Sequence, residues 1–224
     1  MKIFYLISLI VIIFSGCENH KKETILNKKL NHNLINKLST MKVNDQIAAK
    51  GKPPKKLEYL TRIEWNEYKD STFISNQIEL EKIHSEYGFP GFDLVGKDGS
   101  FNFWLMTQHC DHKPEFQKMI LNEMKNEMEK GNASKRNYAY LNDRVRKNAG
   151  EKLIYGTQVK YNKFGQAYPA TSLIDSINVD IRRKEVELEP LIEYLNRLTT
   201  AHFEMNKENF IKRGIKKPNL YNTQ

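Results

Sequence analysis

The sequence predicts a mainly α protein, built as a single compact helical domain with a small β-hairpin. Apolar residues recur at intervals of three or four over most of residues 25–203, which is the spacing of a buried helix face. Glycine, proline and N-capping residues divide this pattern into separate helices. Only residues 153–170 change to the composition of a hairpin. A chain of 224 residues is long enough for one such domain plus tails.

Two helices are predicted before the first glycine-rich break. The first spans residues 25–49 and ends before Gly51, Pro53 and Pro54. Its apolar positions are Leu26, Leu30, Leu34, Leu38 and Met41. The second spans residues 70–86 and ends before Gly88, Pro90 and Gly91. Its apolar positions are Phe73, Ile74, Ile78, Leu80 and Ile83.

The third predicted helix, over residues 100–111, has no polar face. Its apolar residues are Phe101, Phe103, Trp104, Leu105 and Met106. A helix that is apolar all round is a buried helix, so we expect all of these side chains in the core. A tight turn is predicted just before it, at Lys97, Asp98 and Gly99.

Two amphipathic helices and a hairpin follow. The fourth helix starts near Pro114, which a first turn tolerates, and ends at Gly131. Ser134 is the expected N-cap of the fifth, which ends near Gly150. The hairpin turns at Asn162–Gly165. A short helix over residues 179–186 and a longer one from Pro190 complete the domain, and residues 204–224 are expected to form a loosely held basic tail.

The N-terminus has the pattern of a bacterial secretion signal. A basic start precedes an apolar run from Ile3 to Phe14, which is too short to span a bilayer as a mature helix. Residues 14–17, ending in Cys17, resemble the lipobox of lipoproteins. That resemblance implies cleavage of a signal peptide at residues 1–17, lipidation of Cys17, a tether over residues 18–24, and a membrane-anchored location in the bacterial cell envelope. The alternative is an ordinary cleaved signal with a chance cysteine.

Charge and cysteine content restrict the partners. Loss of the signal removes one lysine and no acid, so the net charge falls from +9 to +8. The basic residues form no dense stripe with interleaved aromatics, so we expect no nucleic-acid binding. Anionic lipid headgroups or acidic polymers suit this charge, although a solvated surface explains it more simply. With Cys17 lipidated, Cys110 has no disulfide partner and is expected to be an inert, buried thiol.

Candidate site residues stand beside apolar ones in three segments. Gln108, His109 and Asp111 end the third helix; Asp143, Arg144 and Arg146 lie on the fifth; Tyr155, Thr157 and Gln158 begin the hairpin. Because buried polar groups need partners, we expect His109 to lie against the fifth helix or residues 155–158. The alternatives are a surface ion pair around Asp143 and an ordinary strand start at Tyr155. We predict no cofactor and no metal, since the spacing of His109, Asp111 and His112 suits no closed metal site.

These blocks, in this order, resemble an uncharacterised bacterial family, domain of unknown function 6624. The similarity covers roughly residues 30–200 and brings no established chemistry. The sequence departs from the family pattern at two positions. Cys110 stands where the pattern has an alanine, and Ala49, four residues after Asp45, stands where the pattern has an arginine. The matching residues are Gly88–Gly91, Val95 and Gly96, Trp104 and Leu105, Gln108–Asp111, Phe116 and Gln117, Tyr140–Val145, Tyr155–Gln158, Arg182 and Arg183, Leu188–Leu191, and Tyr194 and Leu195.

Two classes of function therefore remain open. The first is a lipid-anchored envelope protein that acts as a binding or structural module for an unknown ligand or envelope partner. The second is a hydrolase-type enzyme. In that case His109 is the general base, Asp111 or Asp143 orients it, and Arg144 with Gln158 holds an anionic group. The two classes differ in whether the polar groups converge on an accessible site or are used in separate hydrogen bonds.

Overall fold

The computed structural model describes residues 30–222, and these form a mainly α domain with one two-stranded antiparallel sheet. The predicted fold class is thus confirmed. The signal segment, Cys17, the tether and the first residues of the first predicted helix lie outside the described residues. The helices are α1 (His32–Ala48), α2 (Arg62–Tyr87), α3 (Phe92–Thr107), α4 (Pro114–Glu129), α5 (Lys135–Asn148), α6 (Val179–Glu185), α7 (Leu191–Met205) and α8 (Lys207–Lys212), with strands β1 (Val159–Tyr161) and β2 (Ala167–Pro169) and a 3-10 turn at Lys55–Leu57.

Local capping explains where the helices begin. The Ser134 side chain accepts a hydrogen bond from the Asn137 N–H, so Ser134 is the N-cap of α5 as predicted. Helix α2 begins at Arg62, eight residues before the predicted start. A capping box accounts for this correction, since Thr61 and Glu64 bond to each other's backbone N–H groups.

The observed helix α3 differs from the predicted helix around Gly96 and Gly99. It begins at Phe92 and breaks at Gly96, whose φ of 68° is favourable only for glycine. The predicted turn at residues 97–99 is helical instead, and an added Cβ at Gly99 would lie 2.6 Å from the Cβ of Val95. Phe103, Trp104 and Met106 are buried as predicted. The prediction that Phe101 lies in the core is wrong, because its side chain is 40% exposed and lines a surface cavity.

The hydrophobic core is divided into a large helical part and smaller C-terminal parts. The large part joins residues of α1 to α5, and another joins α7 with the hairpin. Tyr140 on α5 packs against the large part and both smaller ones. Its ring meets Trp104 and Tyr194 edge-on, with centroids 6.4 and 6.3 Å away. Helix α5 therefore connects the large helical part of the core to the smaller C-terminal parts.

The C-terminal residues pack onto the domain, which corrects the expectation of a loosely held tail. Phe210 of α8 is buried and stacks on Phe203 of α7, with ring centroids 5.5 Å apart. Tyr221 donates its N–H to Asn196 and its hydroxyl to the Ala167 carbonyl of β2. Between residues 30 and 222, none of the helices has the length and apolar character needed to cross a membrane.

Candidate functional site

His109 is held by a carboxylate from a distant part of the chain. It lies in the turn after α3, and its Nδ1 is 2.9 Å from both carboxylate oxygens of Asp45, in the last turn of α1. The Asp45 side chain is fully buried, whereas the His109 side chain is 20% exposed. The carboxylate partner assigns the proton to Nδ1 in the neutral ring. Nε2 is then the basic nitrogen, and it has no hydrogen-bond partner in the described part of the chain.

The Asp45 carboxylate is fixed by further donors. Asn76 of α2 donates its side-chain N–H to Oδ1 at 3.3 Å, and Gln46 donates to Oδ2 at 2.9 Å. The Phe73 ring lies 5.0 Å from the imidazole, so α2 also confines the histidine ring. Ala49, one helical turn after Asp45, is exposed and leaves that side of α1 without a long side chain. Three helices thus position one imidazole.

Asp111 belongs to a separate ion pair two residues later. Arg144 of α5 binds it through Nε at 2.8 Å and Nη2 at 2.6 Å, and Asn148 donates to it at 2.8 Å. Burial favours the neutral carboxyl, but the hydrogen bonds and charge of Arg144 outweigh it and lower the pKa of Asp111. Asp111 therefore joins the turn after α3 to α5, and none of its hydrogen-bond partners is His109.

Gln117 has a structural role, and it was not among the candidate site residues predicted from the sequence. It is fully buried, and its amide donates to the Thr107 carbonyl at 3.0 Å and to Asp111 at 3.1 Å. It therefore fixes the turn that carries His109. The Gln108 side chain is also buried, and its Nε2 has no partner within residues 30–222. The sequence feature that could have identified Gln117 is a single amide side chain on the apolar face of α4.

Asp143 holds the backbone of the Tyr-Gly-Thr-Gln segment. Its fully buried carboxylate accepts hydrogen bonds from the N–H groups of Ile154 at 2.8 Å, Tyr155 at 3.2 Å and Thr157 at 2.8 Å. The Thr157 hydroxyl adds a bond of 3.0 Å. Four donors converge on one carboxylate, so Asp143 does not orient His109.

The carbonyls of the same segment are bound from the other side. Arg182 Nε donates to the Ile154 carbonyl at 3.0 Å, and Arg183 Nη1 donates to that of Tyr155 at 2.7 Å. The Tyr194 hydroxyl donates to the Thr157 carbonyl at 2.7 Å. Arg183 is fully buried, and burial lowers the pKa of its guanidinium. We call residues 154–157 with Asp143 and Arg183 the loop clamp.

The remaining predicted site residues have other surroundings. Arg146 donates to the Lys152 carbonyl at 2.6 Å and pairs with Glu151 at 2.9 Å, which is an ordinary surface contact. Gln158 is half-buried next to β1, and its carbonyl accepts the Ala170 N–H. Within the described residues no hydrogen bond or ion pair links His109 to Asp143, Arg144 or residues 155–158. The hydrogen bonds of His109, Asp111 and Asp143 therefore form three separate groups rather than the single expected cluster.

The structure also shows the state of Cys110. Its side chain is fully buried, as predicted, and burial raises the pKa of the thiol to about 12. A thiol with such a pKa carries almost no thiolate near neutral pH, so Cys110 is not a nucleophile. Over residues 30–222, no three His, Cys, Asp or Glu side chains are grouped so that they could hold a metal ion.

Comparison with known proteins identifies the family. Residues 38–206 match the family of unknown function DUF6624. The chain belongs to this family. No curated protein and no solved structure matches it. The match spans Asp45, His109 and the loop clamp, so the DUF6624 region contains both the histidine site and the structural center of the fold.

The loop clamp gives a prediction about stability. Asp143→Asn turns an amide N–H toward backbone donors and should lower the free energy of unfolding by about 3 kcal/mol. Thr157→Val removes one hydroxyl donor and should cost about 1 kcal/mol. Urea denaturation monitored by circular dichroism measures both. A loss below about 0.5 kcal/mol for Asp143→Asn would contradict the structural role.

The Asp111–Arg144 pair predicts a pH-dependent stability difference. Because the folded pKa is lowered, the pair stabilises above the unfolded pKa of about 3.9, and this contribution disappears as pH falls through the folded value. Arg144→Gln should cost about 1 kcal/mol at pH 7, a value limited by solvent screening of the part-exposed carboxylate. In unfolding curves from pH 7 to pH 2.5, the difference from wild type should shrink on acidification. A constant difference would refute the assignment.

Proposed function

We propose that this DUF6624 protein is a hydrolase-type enzyme that uses His109 as its general base and Asp45 as the residue that positions it. One observation carries the proposal: a fully buried carboxylate holds Nδ1 of a part-exposed imidazole, and Nε2 has no partner in residues 30–222. The separate hydrogen bonds of Asp111 and Asp143 count against the hydrolase site expected from the sequence. The proposal therefore keeps only His109 from that site and takes Asp45 as the orienting residue.

The physical argument rests on the cost of burying Asp45. Removing a carboxylate from water costs several kcal/mol unless hydrogen bonds and an opposite charge compensate for it. At Asp45 the compensating donors are the imidazole, Asn76 and Gln46. When Nε2 takes a proton, the resulting imidazolium gains a charged partner in Asp45. The buried carboxylate therefore stabilises the state that a general base reaches during catalysis.

Water is the nucleophile that fits this site. Cys110 is buried with a raised pKa, and no hydroxyl side chain of residues 30–222 is hydrogen-bonded to His109. Nε2 would remove a proton from water as the oxygen attacks the substrate. The same nitrogen would then return the proton to the leaving group.

A binding or structural module is the second candidate. It is favoured by the observation that Asp143, Thr157 and Arg183 all serve the loop clamp. On this alternative, the Asp45–His109 pair joins α1 to the turn after α3 and does nothing else. Variants at His109 would then lower stability without removing any activity.

The catalytic test separates these candidates. His109→Asn keeps an N–H donor near Asp45 while removing the base, so the fold should persist. Turnover on a panel of p-nitrophenyl acetate, bis-p-nitrophenyl phosphate and p-nitrophenyl glycosides should fall at least about 100-fold. His112→Ala, which removes an exposed histidine three residues away, is the matched control and should keep full activity. Melting temperature is measured for each variant.

Two results would refute the catalytic proposal. One is the absence of turnover on the whole panel by the wild-type protein. The other is turnover that His109→Asn leaves unchanged. Asp45→Asn adds an independent check, because a positioning carboxylate should change the pH profile of turnover, whereas a purely structural one should change only the melting temperature.

We also propose that the protein is anchored in the bacterial envelope by lipid on Cys17. The support is the apolar run before Cys17 and its resemblance to a lipobox. Cys17→Ser should abolish labelling by a radioactive fatty acid and block lipoprotein-type cleavage, whereas Cys110→Ser should leave labelling unchanged. Undiminished labelling of the Cys17→Ser protein would exclude the anchor.

A further inference from the structure

A concave surface site lies away from His109, beside the first and middle turns of α3. It is a cavity of about 620 Å³ between α3, α4, the start of α5 and the segment after α6. We call it the α3–α5 cavity and define it by Phe92, Lys97, Phe101, Met128, Lys135 and Arg136. Phe101 precedes His109 by eight residues, about 12 Å along a helix. The cavity is therefore separate from the proposed catalytic site, and its volume is typical of small-molecule sites.

The cavity carries cations that have no ion pair within residues 30–222. Lys97 and Lys135 are exposed and have neither an ion pair nor a side-chain hydrogen bond within residues 30–222. Arg136 donates only Nη2, to the Glu187 backbone carbonyl at 2.9 Å. The carboxylates of Asp98 and Glu187 also line the cavity, so its lining carries three positive and two negative charges. A ligand with negative charge would be attracted here.

The cavity lining also contains apolar and aromatic side chains. Phe101 is 40% exposed although its neighbours Phe103 and Trp104 are buried, and Phe92 and Met128 lie on the same lining. The Phe101 ring rests against Trp104, with ring centroids 5.4 Å apart. That contact holds the exposed ring in place, so one face of Phe101 is available to pack against a ligand's ring.

The backbone at Glu187 is strained where it meets Arg136. Its φ of 61° is unfavourable for a residue with a side chain, and within residues 30–222 all other residues with positive φ are glycines. The carbonyl of Glu187 accepts the Arg136 bond, so this strained residue holds the guanidinium at the cavity edge. Strained residues of this kind are enriched at ligand sites, where they preorganise binding groups.

We propose that the α3–α5 cavity binds a small phosphate monoester that carries an aromatic or apolar group. The two ammonium groups and the guanidinium match the several oxygens of a phosphate. Phe101, Phe92 and Met128 receive the organic part. The proposal does not depend on His109, and it holds whether or not the protein is a hydrolase.

The test uses phenyl phosphate as the probe and isothermal titration calorimetry on the full chain. Saturable binding is expected, with affinity that falls as salt is added. The double variant Lys97→Gln/Lys135→Gln should weaken it at least tenfold. Lys118→Gln removes an exposed lysine that does not line the cavity, and it should leave affinity unchanged. Phe101→Leu should weaken phenyl phosphate binding several-fold but leave inorganic phosphate binding unchanged.

Three outcomes would overturn the proposal. The first is the lack of saturable phenyl phosphate binding to the wild-type protein. The second is equal affinity in the double variant and the Lys118→Gln control. The third is inorganic phosphate binding as tightly as phenyl phosphate, which would leave the aromatic wall without a role. The exchanged lysines are exposed, and a melting temperature within a few degrees of wild type confirms that each variant is folded.

Discussion

The fold depends on how one short segment satisfies two opposite buried charges. Asp143 accepts the N–H groups of residues 154–157, and Arg183 donates to a carbonyl of the same segment. Each charge is fully buried, so water cannot solvate either of them. Peptide dipoles take that role, with their positive ends toward the carboxylate and their negative end toward the guanidinium. Because Asp143 lies on α5 and Arg183 on α6, the loop clamp joins the helical core to the C-terminal part.

The loop clamp also explains the unusual local sequence. Gly156 has a φ of 70°, and an added Cβ there would lie 2.9 Å from Leu191. Glycine is therefore favoured by the backbone conformation, and any larger residue would also require the Leu191 side chain to shift. Thr157 contributes its hydroxyl and its N–H to Asp143 and its carbonyl to Tyr194. A segment so fully bonded has few groups left for a ligand.

His109 and Asp45 represent a different use of a buried charge. In the loop clamp, backbone groups and the Thr157 hydroxyl compensate the two charges, and among the polar atoms of these two charged side chains only Nη2 of Arg183 has no hydrogen-bond partner within residues 30–222. At Asp45 the main partner is an imidazole whose Nε2 has no hydrogen-bond partner within residues 30–222 and whose side chain is 20% exposed. The same physical requirement, that a buried carboxylate must be paired, is thus met by backbone groups at Asp143 and by a part-exposed imidazole at Asp45.

The sequence by itself determined the local features of this protein. Helical periodicity, the Ser134 cap and the hairpin turn depend on residues a few positions apart, so the mainly α class and most helices follow from them. Even the early start of α2 was encoded locally, by Thr61 and Glu64. The sequence also marked His109 and Asp143 as polar groups that require partners.

The hydrogen-bond partners of these polar groups follow from tertiary packing and not from local sequence. Asp45 is 64 residues from His109 along the chain, and Arg183 reaches Tyr155 across 28 residues. Such pairs depend on how α1, α3, α5 and α6 pack, and helix periodicity carries no information about that packing. For the same reason Phe101 was expected in the core, because whether an apolar side chain is covered depends on the neighbouring helix and not on its own. Whether a buried carboxylate is bound by backbone groups or by a part-exposed imidazole therefore depends on the tertiary packing.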